Sequence, residues 1–435
     1  MNAALETPHW LNESFIHSRD FFDQCPEVRD FQKKQRDLFL ARGLPTKREE
    51  LWKYTDLRFL SNRTFVKPSI TMDVVQTIQA KHIQNSASVR LVFVNGLFSE
   101  KLSDVSLLPE DVICCDLKTA FKNHAEKIKK FIFENVDTNR FPFATLNAAL
   151  MTDGIFLYIP KHTTMNVPIH ILFANTEKNI LTASRNIIVA DENAQATILE
   201  EHCELGGRDY FTNVVTDIYA QPNSRIYYHK IQKESLDATH IAEIFVNQKH
   251  DSLVETYSLA LGAQLGREDV WVNLNEHHTE SSINGFYYLS ENNQHIDNHA
   301  QVNHIAPLGT SKMVYKGVLE KKSRAVFNGK IYVYTNAQKT VSRQANYNLM
   351  LSPDAEVDTK PEFEIYADDV KCSHGDTVGQ LDAEALFFLR SRGIEKKIAL
   401  QMLTRAFAAD VLNSIKNPAI LAHMNHLLNE MFSDD

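Results

Sequence analysis

A cysteine and a histidine at alternate positions make the sharpest chemical constellation in the chain, in the run Asp368-Asp369-Val370-Lys371-Cys372-Ser373-His374-Gly375-Asp376. In extended backbone Cys372 and His374 project from one face with Cα atoms about 7 Å apart, so both can reach one ion. A thiolate and an imidazole suit iron or zinc, but a tetrahedral site needs four ligands and two residues cannot close it. The others would come from another chain or an exchangeable substrate, the form a transient assembly site takes. The plain alternative is a buried thiol beside a structural histidine.

The densest group among the 18 histidines is His277, His278, His295, His299 and His304. The i, i+4 pair His295 and His299 can share a helix face and bind zinc. The residues between them are Ile296-Asp297-Asn298, however, without the glutamate that a zinc protease sets directly after its first histidine. Structural, hydrogen-bonded histidines are the expectation. The five cysteines, Cys25, Cys114, Cys115, Cys203 and Cys372, are odd in number and hold no CxxC spacing. That disfavours a disulfide framework or a self-contained zinc finger. No GxxxxGK[ST] or GxGxxG loop occurs, so ATP chemistry would have to come from a partner.

The elements that must position these residues emerge from the wider pattern. With 435 residues, 43% hydrophobic and 23% charged, the chain can bury a large core in two or three domains. A net charge of −9 disfavours duplex nucleic acid, which needs a basic patch. Met1 to Asp20 lacks a basic-then-apolar order, and nowhere do about eighteen apolar residues run together, so no membrane span and a cytoplasmic location are expected.

Residues 1 to 80 read as helical and polar. Thr46 and Glu49 have the spacing of a capping box that starts a helix, with Leu51 and Trp52 as packing anchors. From 85 to 160 the pattern mixes, with a strand at Val89 to Val94 closed by Asn95-Gly96 and a lysine-rich helix near Leu117 to Glu134. Between 165 and 367 short alternating runs recur: Asn186 to Ala190, Gln195 to Glu200, Asn213 to Tyr219, Arg225 to Gln232, Ala242 to Asn247, Leu253 to Leu259, Ser281 to Tyr287 and Lys330 to Tyr334. Turn-forming groups at Asp191-Glu192-Asn193, Gln221-Pro222-Asn223 and Asn284-Gly285 interrupt or separate them. Sandwich, barrel and solenoid all satisfy this mainly β pattern, and no fixed-length repeat chooses among them.

After residue 381 the pattern turns helical, with Asp382 as N-cap and Gly393 as C-terminal stop. Ala399, Met402, Leu403, Ala406, Phe407, Val411 and Ile415 form one stripe, with Asp410 intruding and Pro418 ending it. Ile420, Met424, Leu427, Leu428 and Met431 form the next. Either stripe can close the core or dock a partner.

The segment YADDVKCSHGDTVGQLD, Tyr366 to Asp382, resembles the SufB/SufD family of iron–sulfur cluster assembly proteins, on its SufD side. HIDNH (His295 to His299), Tyr315-Lys316-Gly317, VFNGK (Val326 to Lys330), AQKT (Ala337 to Thr340), Leu349 to Ser352, ALFFLRSRG (Ala385 to Gly393) and LPTKREELWKYTDL (Leu44 to Leu57) agree in family order. The resemblance implies a mainly β fold, a right-handed parallel β-helix over 161–380, with an N-terminal helical and mixed domain over 1–160 and a C-terminal helical domain over 381–435. It implies a non-enzymatic scaffold of the SufBCD complex that pairs with SufB through the β-helix and docks the ATPase SufC through its C-terminal helices. Cys372 and His374 would then offer metal ligands at the SufB interface for transient iron or cluster, with no stably bound cofactor. The alternative within this resemblance is an architectural subunit without metal contact. Two equivalent β-helix edges also permit a homodimer. A carbohydrate-active β-helix would need a carboxylate cluster on one exposed sheet face, which spacing does not reveal.

Overall fold

From Ile155 to Gly379 the chain runs in short strands, most of ten residues, placed alternately in two sheets. Each inner strand pairs in parallel with the strands two before and two after it, so the chain winds as a parallel β-solenoid of about seven turns. The computed structural model describes residues 8–19, 22, 25–70, 74, 77–78, 81, 83, 86–133 and 140–432.

Alternation turns every second side chain inward, and Ile198, Ile226, Ile283, Met313, Phe327 and Ile331 fill the interior. Both flanks of the solenoid are covered too, which is why many strands are buried along their whole length. Trp10, Phe39, Trp52, Phe143 and Leu146 from the N-terminal region pack on Leu181, Phe211, Ile241 and Leu265 of the nine-stranded sheet. Leu412, Ile420, Met424, Leu427 and Leu428 pack on Leu199, Ile231, Leu259 and Phe286 of the ten-stranded sheet. The strand Val89–Val94, turned by Asn95 and Gly96 at positive φ into Leu97–Phe98, extends one sheet, and Ile113–Asp116 extends the other.

Where the chain leaves the nine-stranded sheet between residues 190 and 340, each corner places one residue in the left-handed region. Asn193, Asn223, Asp251, His278, Leu308 and Lys339 supply it turn after turn, with φ between 54° and 65°. Amides at these corners hydrogen-bond to the corner of the next turn, Asn193 to Pro222 and Lys339 to Asp369 among them.

Local expectations are met where the signal was local. Asp382 accepts from the Glu384 amide at 2.8 Å, and Gly393 takes φ 84° past the helix Ala383–Ser391. Elsewhere the structure corrects them. Glu49 does reach back to the Thr46 amide at 2.8 Å, but the Thr46 hydroxyl meets Arg48, and the pair leads into one 3-10 turn, Glu50–Trp52. The lysine-rich helix is two helices, Leu117–Asn123 and Ala125–Ile132, broken at His124; Glu134 lies outside the described residues. Asn284-Gly285 is no turn but the middle of the strand Glu280–Leu289. The helix Lys396–Leu412 buries Ala399, Thr404, Ala408, Val411 and Leu412, while Met402 is exposed.

Candidate functional site at the open end of the solenoid

Glu356–Ile365 and Val370–Gly379 are the terminal strands of the two sheets, and among the described residues each is paired on one side only. Cys372 and His374 stand on Val370–Gly379, opposite Ser342 and Gln344 of the preceding turn. The strand rule puts Cys372, His374 and Asp376 on one face. Cys372 packs against the interior core, the His374 ring meets Phe363 edge-on at 4.9 Å, and Asp376 accepts from Thr359 at 2.7 Å. This face therefore lines the last turn's interior, open at the end.

Cys372 is half-buried and His374 exposed. Burial pushes the Cys372 thiol up, with the Ser342 backbone partly opposing, so the free side chain is mostly a thiol at neutral pH. A metal would have to displace that proton. Cys372 and His374 do not belong to either of the groups of three convergent ligand atoms found among the described residues. The chain offers two ligand types here on one face, beside an unpaired edge.

Three of the other predicted histidines, His295, His299 and His304, serve the fold. His295 and His299 lie on a strand, His295–His304, not on a helix. His295 Nε2 is 2.9 Å from the Thr55 hydroxyl, which donates to Asp297; Arg267 donates to Asp297 at 2.6 Å and to the Leu51 carbonyl at 2.8 Å, under the Trp52 ring. The HIDNH run thus anchors the N-terminal LWKYT segment. His304 is buried against Ser311, and His277 and His278, exposed at a corner, form with Asp251 the first of the two convergent groups.

The second convergent group, His202, Glu234 and His240, is buried. Local spacing could not reveal it, since His202 sits a full turn before Glu234 and His240, which flank one corner. The trace in sequence is polar residues at inward positions of otherwise aliphatic strands: Glu200 and His202 after Ile198, Lys230 and Gln232 after Ile226 and Tyr228.

The chain is similar to known proteins along most of its length. Residues 173–407 match the family model "SUF system FeS cluster assembly, SufBD core domain", and residues 14–171 match "SufBD protein N-terminal region". The chain is 33% identical over 390 residues to an iron–sulfur cluster assembly SufBD family protein of Synechocystis, covering 87% of this chain and 85% of that one. It is 31% identical over 385 residues to the iron–sulfur cluster assembly protein SufD of Escherichia coli, covering 88% of each. A chloroplastic protein of Arabidopsis thaliana is 28% identical over 429 residues, covering 96% of this chain and 88% of that one.

Proposed function

Since the chain belongs to the SufBD family of iron–sulfur cluster assembly proteins, we propose that it is the SufD-type, non-catalytic scaffold of a SufBCD complex. In this reading it pairs with SufB through the open end of its solenoid and offers Cys372 and His374 as ligands to transient iron or a nascent cluster. The observation that carries it is the terminal turn. Two unpaired ten-residue edges flank a face bearing a thiol and an imidazole, an incomplete ligand set next to a surface built to accept more strands.

The SufC ATPase docks, in the same reading, on the C-terminal helices. Support comes from side chains that the helices leave uncovered: Phe387 is 74% and Phe388 54% exposed, with Ile398 and Met402 nearby in sequence and also exposed. Cytoplasmic residence fits the five free cysteines, and among the described residues no helix is long and apolar enough to cross a membrane.

Co-expression with SufB and SufC, followed by affinity purification and sizing, tests the assembly. A complex holding all three is the expected result. Recovery of this chain only as a monomer or as a dimer of itself contradicts the reading.

A further inference from the structure

His202, Glu234 and His240 enter the solenoid interior from neighbouring turns. His202 and His240 stand on the strands Gln195–Glu204 and Thr239–Gln248, and Glu234 directly after the strand Arg225–Lys233. All three are buried, and one ligand atom from each lies within 4.8 Å of the other two. His240 Nδ1 already touches a Glu234 oxygen at 2.7 Å, whereas His202 Nδ1 has no hydrogen-bond partner. A buried nitrogen left this way calls for an explanation.

The rest of each side chain is held from behind. Glu200 takes the hydrogen bond of His202 Nε2 at 2.8 Å, which leaves Nδ1 as the ring's unpartnered nitrogen. Phe173 stacks on that ring at 4.7 Å and fixes its plane. Glu234 accepts from Thr212 at 2.7 Å and from Gln232 at 3.2 Å.

Three carboxylates, those of Glu200, Glu234 and Glu268, share this interior with the Lys230 ammonium. A divalent cation would offset the excess of buried negative charge. A cavity of about 20 Å³ bordered by His240, Lys230, Gln232 and Glu268 adjoins the group, room for one water. One contact must yield. Lys230 lies 2.9 Å from His240 Nε2, which would carry the ring proton once Nδ1 holds a metal; Lys230 keeps its bond to Glu268, also at 2.9 Å.

We propose that His202, Glu234 and His240 form an interior site for one divalent first-row transition-metal ion, Fe(II) or Zn(II) by ligand type, with water in the open position. The site is separate from Cys372 and His374, and it stands whether or not those residues touch metal.

The test uses the full chain carrying His277→Ala and His278→Ala, which removes the exposed group beside Asp251. It is unfolded in chelator and refolded anaerobically with Co(II), Zn(II) or Fe(II) in separate arms, then desalted. The expected result is one ion retained per chain, visible Co(II) bands of a low-coordinate nitrogen and oxygen site, and a raised melting temperature. Glu234→Gln or His240→Gln should weaken retention at least about tenfold, whereas Cys372→Ala with His374→Ala should leave it unchanged. Retention unchanged in the folded Glu234→Gln or His240→Gln protein overturns the proposal. Should those variants not fold, the background protein decides: no retained ion and no metal-dependent melting shift overturn it.

Discussion

Gly285 lies beside Tyr315 on neighbouring strands, and Tyr287 beside Gly317. Each ring covers the opposite glycine, so that a Cβ on Gly285 would meet Tyr315 at 2.2 Å and one on Gly317 would meet Tyr287 at 2.1 Å. Neither glycine has a positive φ, so both are required by space. Gly285→Ala should therefore lower stability by about 1–3 kcal/mol, read from urea unfolding; a loss under about 0.5 kcal/mol would mean that the ring moves freely. The same residue shows where sequence reading fails. Asn-Gly is a turn signal when only the backbone is considered, and here the glycine makes room for a side chain on the next turn. Cys372 and His374 were legible because their relation is set within three residues by strand geometry alone. The group at His202, Glu234 and His240 was not, because stacking of turns brings it together. The Thr46–Glu49 pair was half legible. Its side-chain bond to the backbone forms, but a single turn before Arg58–Ser61 leaves no room for an α-helix.

At the scale of elements, the strands were legible and their arrangement was not. Partner residues on successive turns lie 26 positions apart at Thr239 and Leu265 but 32 apart at Arg324 and Glu356, so no fixed period exists to be found. The corner position is equally variable, since asparagine, histidine, leucine and lysine all occupy it. Family resemblance identified the β-helix where periodicity left three folds open. The C-terminal helices divide by burial. Ile420, Met424, Leu427 and Leu428 close the core, while Phe387 and Phe388 remain outside it. Phe387→Ala with Phe388→Ala should change stability by less than about 1 kcal/mol and weaken SufC binding at least about tenfold, near 1.4 kcal/mol. Calorimetry with purified SufC checks this, and unchanged affinity would move the ATPase elsewhere. The helix Lys396–Leu412 is also pinned by Lys316, which donates to Asp410 at 2.7 Å and to the Phe407 carbonyl at 3.0 Å. Because Asp410 is largely exposed, Asp410→Ala should cost less than about 1 kcal/mol in urea unfolding. A larger loss would mean that the pair holds the helix in place.

For the whole molecule, burying so many polar groups inside a solenoid makes stability depend on pH. Burial pushes His229 to about 4, with the Ile198 and Tyr227 backbones opposing, and pushes His304 to about 4; burial and Lys230 do the same to His240. The unfolded chain takes up these protons near pH 6.5 and the folded chain does not. Stability should thus fall as pH drops from about 6.5 to about 4, by up to about 1.4 kcal/mol per pH unit for each histidine. Burial opposes ionisation of Glu201, but bonds to His170 and to His423 of the last helix outweigh it and hold the carboxyl at about 2. The stability this contributes is lost lower, as pH falls from about 4.5 to about 2. Thermal melts across this range should show the midpoint declining steadily below about pH 6.5; a flat profile down to about pH 4.5 would contradict the buried neutral histidines.

The two flanks of the solenoid are covered by the chain's own helices, and its last turn is left open where Cys372 and His374 stand. The most direct measurement is iron and sulfide content of the anaerobically purified SufBCD complex, wild type against Cys372→Ala and His374→Ala, after sizing shows that each complex assembles. The account predicts that cluster content collapses while assembly survives. Unchanged cluster content in both assembled variants would contradict a ligand role and leave an architectural subunit.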